Sequence, residues 1–313
     1  MITKDLSEVL SQLKRGKPVA LPTETVYGLA ANALDARAVS KIFALKERPL
    51  DHPLIVHVSS LEQARSLATS FPKDAEVLAK AFWPGPLTLV LPKKPQVPDL
   101  TTGGMQSVAI RIPNHPATLS LIEQCGFPLA APSANPFGRI SPTTAQHVEE
   151  SFGTHSPLVF DGGACSVGVE STIVSFLDPR PCILRLGGLA VEKIEAVIGP
   201  VAQVGKSAKA IAPGMLPQHY APRTPLVILE EKDPLPPGKL GLLTLENSHD
   251  PKVFHCHEQL SPTGDLEEAA SKFYSALRKL DQASLDCIVA YRFPNRGLGK
   301  ALNDRLERAS HLN

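Results

Sequence analysis

The sequence predicts an α/β protein of two domains, and three observations lead to this fold class. Short apolar runs that are typical of strands alternate with amphipathic stretches that are typical of helices along the chain. The 313 residues exceed the ~250–300 residues at which a single core stops growing. In residues 201–223 the apolar residues first show no clear helical or strand periodicity, and the later part of the segment is rich in proline. We therefore expect a larger domain over 1–200, a linker over 201–223 and a smaller domain over 224–313.

The first domain is predicted to contain helices and strands around one large sheet. The first helix, over 5–15, begins at Asp5, which forms a capping box with Glu8, and it ends at Gly16. Asp35 is the predicted N-cap of the next helix. Further helices are predicted at 61–69 and 73–82. The predicted strands, several of them bounded by prolines, are 19–21, 54–58, 87–91, 108–112, 129–131, 158–160, 171–176 and 183–186.

The second domain shows the same alternation over a shorter length. Its predicted strands are 226–229, 240–245, a short segment at 253–254, and 285–291, and its predicted helices are 265–280 and 298–310. Such alternation indicates a small, largely parallel, Rossmann-like sheet. The sequence has no Gly-x-Gly-x-x-Gly, so it gives no support for dinucleotide binding.

Composition excludes several classes of protein. The 32 Lys and Arg against 31 Asp and Glu give a net charge of +1, which argues against a nucleic-acid binder that works by bulk charge. No apolar run approaches the ~20 residues that span a bilayer. The first residues lack the apolar core of a signal peptide. Five widely spaced cysteines without a Cys-x-x-Cys pair fit a reduced, cytoplasmic setting.

Two polar segments near strand and helix ends are candidate ligand sites. Residues 21–29 leave a strand and carry hydroxyls, a carboxylate and a phenol, which fits either a binding site or a polar turn around a buried tyrosine. Lys46 and Arg48 stand at a helix end, where cations also pair with the helix dipole. Because prolines and His52 follow at once, a rigid polyphosphate clamp is the alternative.

Further candidates lie at the ends of other strands. Residues 130–135 combine small side chains with Ser133 and Asn135, so a ligand can approach the backbone closely. Arg111 and Arg185 are flanked by apolar residues, and either an anionic ligand or an internal salt bridge would balance their charge. The sequence shows no metal-binding constellation, Walker loop or nucleophile elbow.

In combination, these segments resemble the YrdC/TsaC family, and specifically its two-domain (Sua-type) subfamily. The segments that carry the resemblance are 22–29 (PTETVYGL), 46–49 (KERP), 53–57 (PLIVH), 83–88 (WPGPLT), 132–135 (PSAN), 213–215 (PGM) and 219–222 (HYAP). The resemblance implies a twisted mixed sheet with an open cleft, a Rossmann-like C-terminal domain and a linker loop folded over the cleft. It also implies synthesis of threonylcarbamoyl-AMP from L-threonine, bicarbonate and ATP, the first step in making threonylcarbamoyladenosine in tRNAs that read ANN codons.

The resemblance assigns roles to individual residues. It makes Lys46 and Arg48 catalytic. Threonine would contact Thr25, His57, Arg111, Ala131 and Ser171, with Arg111 pairing the amino-acid carboxylate. ATP would contact Lys46, Arg48, His52, Ser107, Ser133, Asn135, Ser141, Arg185 and Tyr220. Mg²⁺ is expected to arrive with ATP rather than at a protein site, and the expected partners are a downstream tRNA threonylcarbamoyl-transferase complex and, weakly, tRNA.

Two other functions compete with the synthase. The first is a module that binds double-stranded RNA or matures ribosomes, although the equal numbers of acidic and basic residues in 1–200 weaken it. The second is a carbamoyl-transfer domain like that of hydrogenase maturation, although the linker and second domain resemble the standalone synthases instead.

Overall fold

A computed structural model describes residues 1–204, 220–246 and 253–310 of the chain. Within them the predicted α/β class is confirmed, and the first 203 residues build one mixed sheet of eleven strands. The strands are β1 (Ile2–Thr3), β2 (Val19–Leu21), β3 (Gly28–Asn32), β4 (Ile55–His57), β5 (Leu87–Pro92), β6 (Ser107–Arg111), β7 (Leu129–Ala130), β8 (Leu158–Phe160), β9 (Thr172–Ser175), β10 (Cys182–Arg185) and β11 (Ala202–Gln203). Their order is β1-β8-β2-β3-β7-β4-β6-β5-β9-β10-β11.

Helices pack on this sheet and bury its apolar residues. They are α1 (Leu6–Lys14), α2 (Ala36–Lys46), α3 (Leu61–Leu67), α4 (Lys73–Phe82), α5 (Asp99–Thr102), α6 (Pro116–Cys125), α7 (Ala145–Phe152) and α8 (Val191–Ile198), with a 3₁₀ turn at Gly153–His155. Asp5 and Asp35 cap α1 and α2 as the sequence predicts, because their carboxylates accept the backbone N–H groups of Ser7 and Arg37.

Several elements of the first domain are not evident from the sequence. Strand β3 and helices α6, α7 and α8 were not predicted. Strand β3 (GLAAN) consists of small residues with low strand propensity, and it forms because β2 and β7 pair with it on either side. Helix α6 starts with a proline in its first turn, a favourable position that the sequence analysis did not use.

The second domain has a four-stranded sheet in which every described pairing is parallel. Its strands are β12 (Leu226–Leu229), β13 (Leu240–Thr244), β14 (Cys256–Gln259) and β15 (Cys287–Tyr291), in the order β12-β15-β13-β14, and its helices are α9 (Leu266–Gln282) and α10 (Gly299–Ser310). The third strand was predicted at 253–254, but the structure has it a few residues later, at β14.

Helices α9 and α10 face the first domain. Arg278 of α9 donates to the carbonyl of Ile140 at 2.6 Å, and Lys300 of α10 pairs with Glu192 of α8 at 2.8 Å. One apolar cluster joins Val26 and Val169 of the first domain to residues of α9 and α10. The second domain therefore packs against the segments of the first that carry the polar motifs. None of the described helices is long and apolar enough to cross a membrane.

Candidate active site

Polar residues from several strand ends meet in one pocket of the first domain. Strands β4 and β6 are parallel, and their last residues, His57 and Arg111, are partners in the register. Ser171 lies directly before β9, and Arg185 ends β10. Ligands commonly bind outside the ends of strands in α/β sheets, so this is the position that the fold favours for a site.

The turn between β2 and β3 places Thr25 in this pocket. The hydroxyl of Thr23 accepts the backbone N–H groups of Thr25 at 3.1 Å and Val26 at 3.2 Å, and it donates to the carbonyl of Val26 at 2.7 Å. These local bonds hold the turn in a fixed shape. The site and the polar turn, which the sequence left as alternatives, are thus the same segment.

Arg111 has an internal partner in the structure. Its Nη2 lies 2.6 Å from Glu24 Oε2, and its Nη1 donates to the hydroxyl of Thr25 at 2.9 Å. The same Glu24 oxygen accepts the backbone N–H of Asn114 at 2.9 Å. Arg111 and Glu24 are both buried, so removing one partner would leave an unbalanced buried charge. The role of Arg111 toward a threonine carboxylate stays a prediction.

His57 is buried beside Arg111 as a neutral imidazole. Burial, and then the positive charge of Arg111, lower the pKa of His57 to about 3. Its Nδ1 lies 3.3 Å from the carbonyl oxygen of Ile55. At neutral pH this side chain can therefore offer one N–H donor and one acceptor nitrogen without adding charge to the pocket.

Lys46 braces the wall of the pocket from behind. Its ammonium donates to the carbonyl of Ser133 at 2.6 Å and to the carbonyl of Asn135. The Asn135 side chain in turn donates to the carbonyls of Pro136 at 3.0 Å and Arg139 at 2.8 Å. Burial, and then the nearby Arg48, keep the pKa of Lys46 well below its ordinary value. Lys46 and Asn135 thus fix the loop 132–135, whose Ser133 lines the pocket.

Arg48 reaches the pocket itself. Its Nη2 donates to the carbonyl of Pro53 at 3.1 Å, and its guanidinium carbon lies 5.5 Å from the ring centre of Phe137. Burial lowers the pKa of Arg48 to about 10, so the group remains cationic at neutral pH. His52 packs on the same Phe137 ring, with the ring centres 5.4 Å apart.

Ser171 and Arg185 form a second hydrogen-bonded group in the pocket. Arg185 Nη2 donates to the carbonyl of Ser171 at 2.8 Å and to its hydroxyl at 3.1 Å. The Ser171 hydroxyl also lies 2.7 Å from that of Thr88. The guanidinium of Arg185 is therefore held at a fixed position in the pocket wall.

The structure brings together most of the residues that the resemblance selected. Nine of them line the pocket: Thr25, Arg48, His57, Arg111, Ala131, Ser133, Ser171, Arg185 and Tyr220. Four others stand outside this lining, namely Lys46, His52, Asn135 and Ser141. Ser107 is at the opposite end of β6 from Arg111, about 13 Å away at the usual rise per residue of a strand.

Four buried residues in or beside the pocket are not among the residues predicted from the sequence. Glu24, inside the segment 22–29, and Glu170, directly before the predicted strand 171–176, are not among the predicted site residues. Tyr274 and Arg305 come from the second domain, and both bond to Glu170. Arg305 occupies a buried position on the apolar face of α10, and a charged residue at such a position was the signal available in the sequence.

The linker prediction falls mostly outside the described residues. Of 201–223, residues 205–219 are not described, and they include the segment 213–215 and His219. Tyr220 is described and buried. Its ring centre is 5.8 Å from that of Tyr274, and the next residue, Ala221, donates its N–H to the carbonyl of Gly138 at 2.9 Å.

Comparisons with known proteins agree on one family. A family model described as "Telomere recombination" matches residues 11–187, and one described as "Threonylcarbamoyl-AMP synthase, C-terminal domain" matches 189–311. The chain is 45% identical to a threonylcarbamoyl-AMP synthase of Pyrococcus abyssi, over 95% of this chain and 92% of that one. It is 41% identical to the Bacillus subtilis synthase, over 97% and 92%. A crystal structure of P. abyssi Sua5 complexed with L-threonine superposes with a TM-score of 0.90 at 42% identity, covering 97% and 94%.

Proposed function

The chain belongs to the family of two-domain threonylcarbamoyl-AMP synthases, and on that premise we propose how its pocket carries out the reaction. L-threonine, bicarbonate and ATP give threonylcarbamoyl-AMP, pyrophosphate and water. The threonine amine attacks the bicarbonate carbon and water is lost, which leaves a carbamate. A carbamate oxygen then attacks the α-phosphorus, and pyrophosphate leaves. The product is the first intermediate in threonylcarbamoyladenosine modification of tRNA.

The observation that carries the proposal is the convergence of three guanidinium groups with hydroxyls and a neutral imidazole in one pocket. Arg48, Arg111 and Arg185 all line it. Both reactants of the second step are anions, so the protein must hold them together and offset the developing charge. Fixed cations and hydrogen-bond donors do this without a covalent intermediate on the protein.

The contacts suggest which side of the pocket takes which substrate. Thr25, His57 and Arg111 form one group through the Thr25–Arg111 hydrogen bond and the pairing of β4 with β6, and we assign L-threonine to them together with Ala131 and Ser171. We assign ATP to the side of Arg48, Ser133 and Arg185. Lys46 and Asn135 act there through the loop that they brace.

Mg²⁺ is proposed to enter with the nucleotide. The carboxylates nearest the pocket are both paired with cations, Glu24 with Arg111 and Glu170 with Arg305. Among the described residues, no group of three or more His, Cys, Asp or Glu side chains could hold a metal. We propose that the ion is held by ATP phosphates and water. When bound, the ion would neutralise phosphate charge in the displacement.

We also propose where the product goes. A labile acyl-adenylate requires a second protein that transfers the threonylcarbamoyl group to tRNA, and a weak contact with tRNA would assist delivery. We place the activity in the cytoplasm. The five cysteines are all free thiols, as is usual in a reducing compartment.

The test is product formation by the purified chain. ATP, L-threonine and bicarbonate are incubated with the protein, and threonylcarbamoyl-AMP and pyrophosphate are quantified by mass spectrometry. We expect equal amounts of both, and neither when threonine or bicarbonate is left out. Pyrophosphate release that does not depend on threonine would contradict the proposed function.

A further inference from the structure

Glu24 is a buried carboxylate in the turn between β2 and β3. Its neighbours Thr23 and Thr25 line the pocket, and its own side chain reaches the C-terminal end of β6. There Glu24 Oε2 lies 2.6 Å from Arg111 Nη2 and accepts the backbone N–H of Asn114 at 2.9 Å. A single carboxylate oxygen therefore joins the turn that carries Thr25 to the strand that carries Arg111.

The main chain of Glu24 holds a further segment of the site. Its carbonyl accepts the backbone N–H of Val167 at 2.7 Å. From Val167 the chain runs on to Ser171, which lines the pocket. This contact uses main-chain atoms only, so a different side chain at position 24 can keep it. Substitutions of Glu24 therefore test the tie to β6.

The guanidinium of Arg111 is held at both of its terminal nitrogens. Nη2 faces Glu24, and Nη1 donates to the hydroxyl of Thr25 at 2.9 Å. Because the guanidinium is planar and rigid, two fixed nitrogens fix its orientation. Arg111 Nε is buried and has no hydrogen-bond partner among the described residues. The internal contacts therefore do not use up the donors of this group.

Glu24 can act on Arg111 through its position or through its charge. The oxygen that faces Arg111 is itself anchored to the main chain by the N–H of Asn114. The second oxygen, Oε1, is buried and has no hydrogen bond within the described part of the chain. An uncharged side chain of the same length can therefore keep both contacts of Oε2, and this favours a role that depends on position.

We propose that Glu24 is a positioning residue that preforms the L-threonine subsite, because it holds Arg111 and Thr25 in the orientation that receives the amino-acid carboxylate. This inference rests on the proposed function, since it takes L-threonine as the ligand. A preformed subsite binds more tightly because the cost of ordering its side chains is already met in the free protein. A displacement of about 1 Å in such a constellation can cost roughly 100-fold.

Two substitutions separate position from charge. Glu24→Gln removes the charge but keeps the length, so its amide oxygen can take over the contacts with Arg111 and Asn114. Glu24→Asp keeps the charge but is shorter, so its carboxylate no longer reaches both partners. Thr118→Val is the matched control. The buried Thr118 anchors the same turn by donating to the carbonyl of Pro22 at 2.5 Å, a bond that does not involve Arg111.

Threonine affinity is measured by titration calorimetry on the full-length chain, and the KM values of threonine and ATP are measured from product formation. We expect Glu24→Asp to weaken threonine binding about tenfold and to raise the KM of threonine alike, within the usual coupling of contacting residues. The KM of ATP should stay within about threefold of wild type, as should the threonine affinity of Glu24→Gln. Thr118→Val should lower the Tm and leave threonine affinity unchanged.

Several outcomes would overturn the proposal. Equal weakening in Glu24→Gln and Glu24→Asp would assign a role to the charge rather than to position. Wild-type threonine affinity in Glu24→Asp would show that the tie to β6 does not matter for binding. An equal rise in the KM of both substrates, or the same loss of threonine affinity in Thr118→Val, would reduce Glu24 to a general structural role.

Folding and function are controlled separately. Each variant is first checked by circular dichroism and thermal unfolding. If Glu24→Asp does not fold, hydrogen exchange of the wild type carries the test, and the Asn114 amide should exchange at the same slow rate with and without saturating threonine. Protection that appears only with threonine would contradict a preformed subsite. Failure of the proposed function would appear differently, as a wild-type protein that binds no threonine or forms no threonylcarbamoyl-AMP.

Discussion

At the scale of single residues, the site depends on buried charged or ionisable groups whose partners are fixed. Lys46, Arg111 and Glu170 are each less than a tenth exposed. Each has partners within hydrogen-bond distance, and breaking such a pair by removing one member commonly costs more than the pair contributes. Substitutions at these positions will therefore change stability as well as chemistry, and experiments must measure both.

The first prediction separates Lys46 from Arg48, which the sequence analysis grouped together. We expect Lys46→Met to lower the free energy of unfolding by about 1–3 kcal/mol, because two carbonyls lose their donor. Adenylate formation by the Lys46→Met variant should fall as well. Arg48→Met should lower turnover by roughly 2–4 kcal/mol of transition-state stabilisation with little change in stability. Urea unfolding and initial rates at saturating ATP measure the two effects.

Lys41→Met is the control for this pair of variants. Lys41 lies on the same helix, and its ammonium donates to the carbonyl of Gly16 at the surface. The Lys41→Met variant should retain activity. A Lys46→Met protein as stable as the wild type would refute the bracing role, and near wild-type turnover in Arg48→Met would refute its place in the site.

The second prediction concerns His57 and pH. Its pKa is about 3 in the folded protein against 6.5 ordinarily, so between these values the unfolded chain binds the extra proton. Stability should then rise with pH across this window and be lost on acidification. From pH 6.5 to 5 the loss from this residue amounts to about 2 kcal/mol.

The measurement is urea unfolding at pH 7 and pH 5 for the wild type and His57→Gln. The variant should lose about 2 kcal/mol less than the wild type between the two values. His147, whose pKa burial also lowers, to about 4, is present in both proteins and cancels in the comparison. Identical losses in the two proteins would mean that His57 is protonated alike in the folded and unfolded states.

At the scale of elements, the sequence predicted those parts whose signal is local. Helices α1 and α2 begin at their predicted caps, and strands β2, β8 and β12 have their predicted bounds. Strand β3 could not be found this way because its pairing with β2 and β7, rather than its composition, makes it a strand. Several residues of the pocket were recognisable because they lie in distinctive sequence segments at the ends of strands that were predicted.

The third prediction tests how closely the loop before Ser171 approaches α9. Gly168 has a φ of +76°, and a Cβ on it would run into the backbone of Ala270 and Ser271. Gly163, in the same loop, has a φ of +89° with nothing within 4 Å of an added Cβ. Gly163→Ala should cost only the strain of a left-handed alanine, about 1–2 kcal/mol.

Gly168→Ala should cost more, about 2–4 kcal/mol, because strain and overpacking against the second domain add. It should also lower activity, since α9 carries Tyr274 and the loop carries Glu170. Thermal unfolding and product formation of both variants are the measurements. Equal losses in the two would show that α9 does not press on Gly168 in solution.

At the scale of the whole molecule, the second domain contacts the pocket wall through Glu170, and this contact was the part that could not be predicted from the sequence. Its length and alternation predicted a parallel sheet, which the structure confirms. The contacts of Tyr274 and Arg305 with Glu170 join residues more than one hundred positions apart. No local sequence pattern encodes such a contact, because it depends on how the two domains pack against each other.

The last prediction concerns the segment between the domains, for which a working role in the site stays a prediction. Its ends are fixed in the structure, Val204 by its N–H to the carbonyl of Ile183 at 3.1 Å and Tyr220 in the pocket. Tyr220 has a φ of +66°, a strained value for a bulky residue, which persists only where the surroundings impose it.

The test is to insert a protease site within 205–219 and to cut the chain there. The two fragments should stay together through the interface between the domains. Because exclusion of water protects an acyl-adenylate, the ratio of pyrophosphate released to threonylcarbamoyl-AMP recovered should rise severalfold. A cut placed within 247–252 of the second domain is the control and should leave the ratio at one. If the chain cut within 205–219 also keeps a ratio of one and full activity, the segment is a tether and the residues on either side of it suffice for the site.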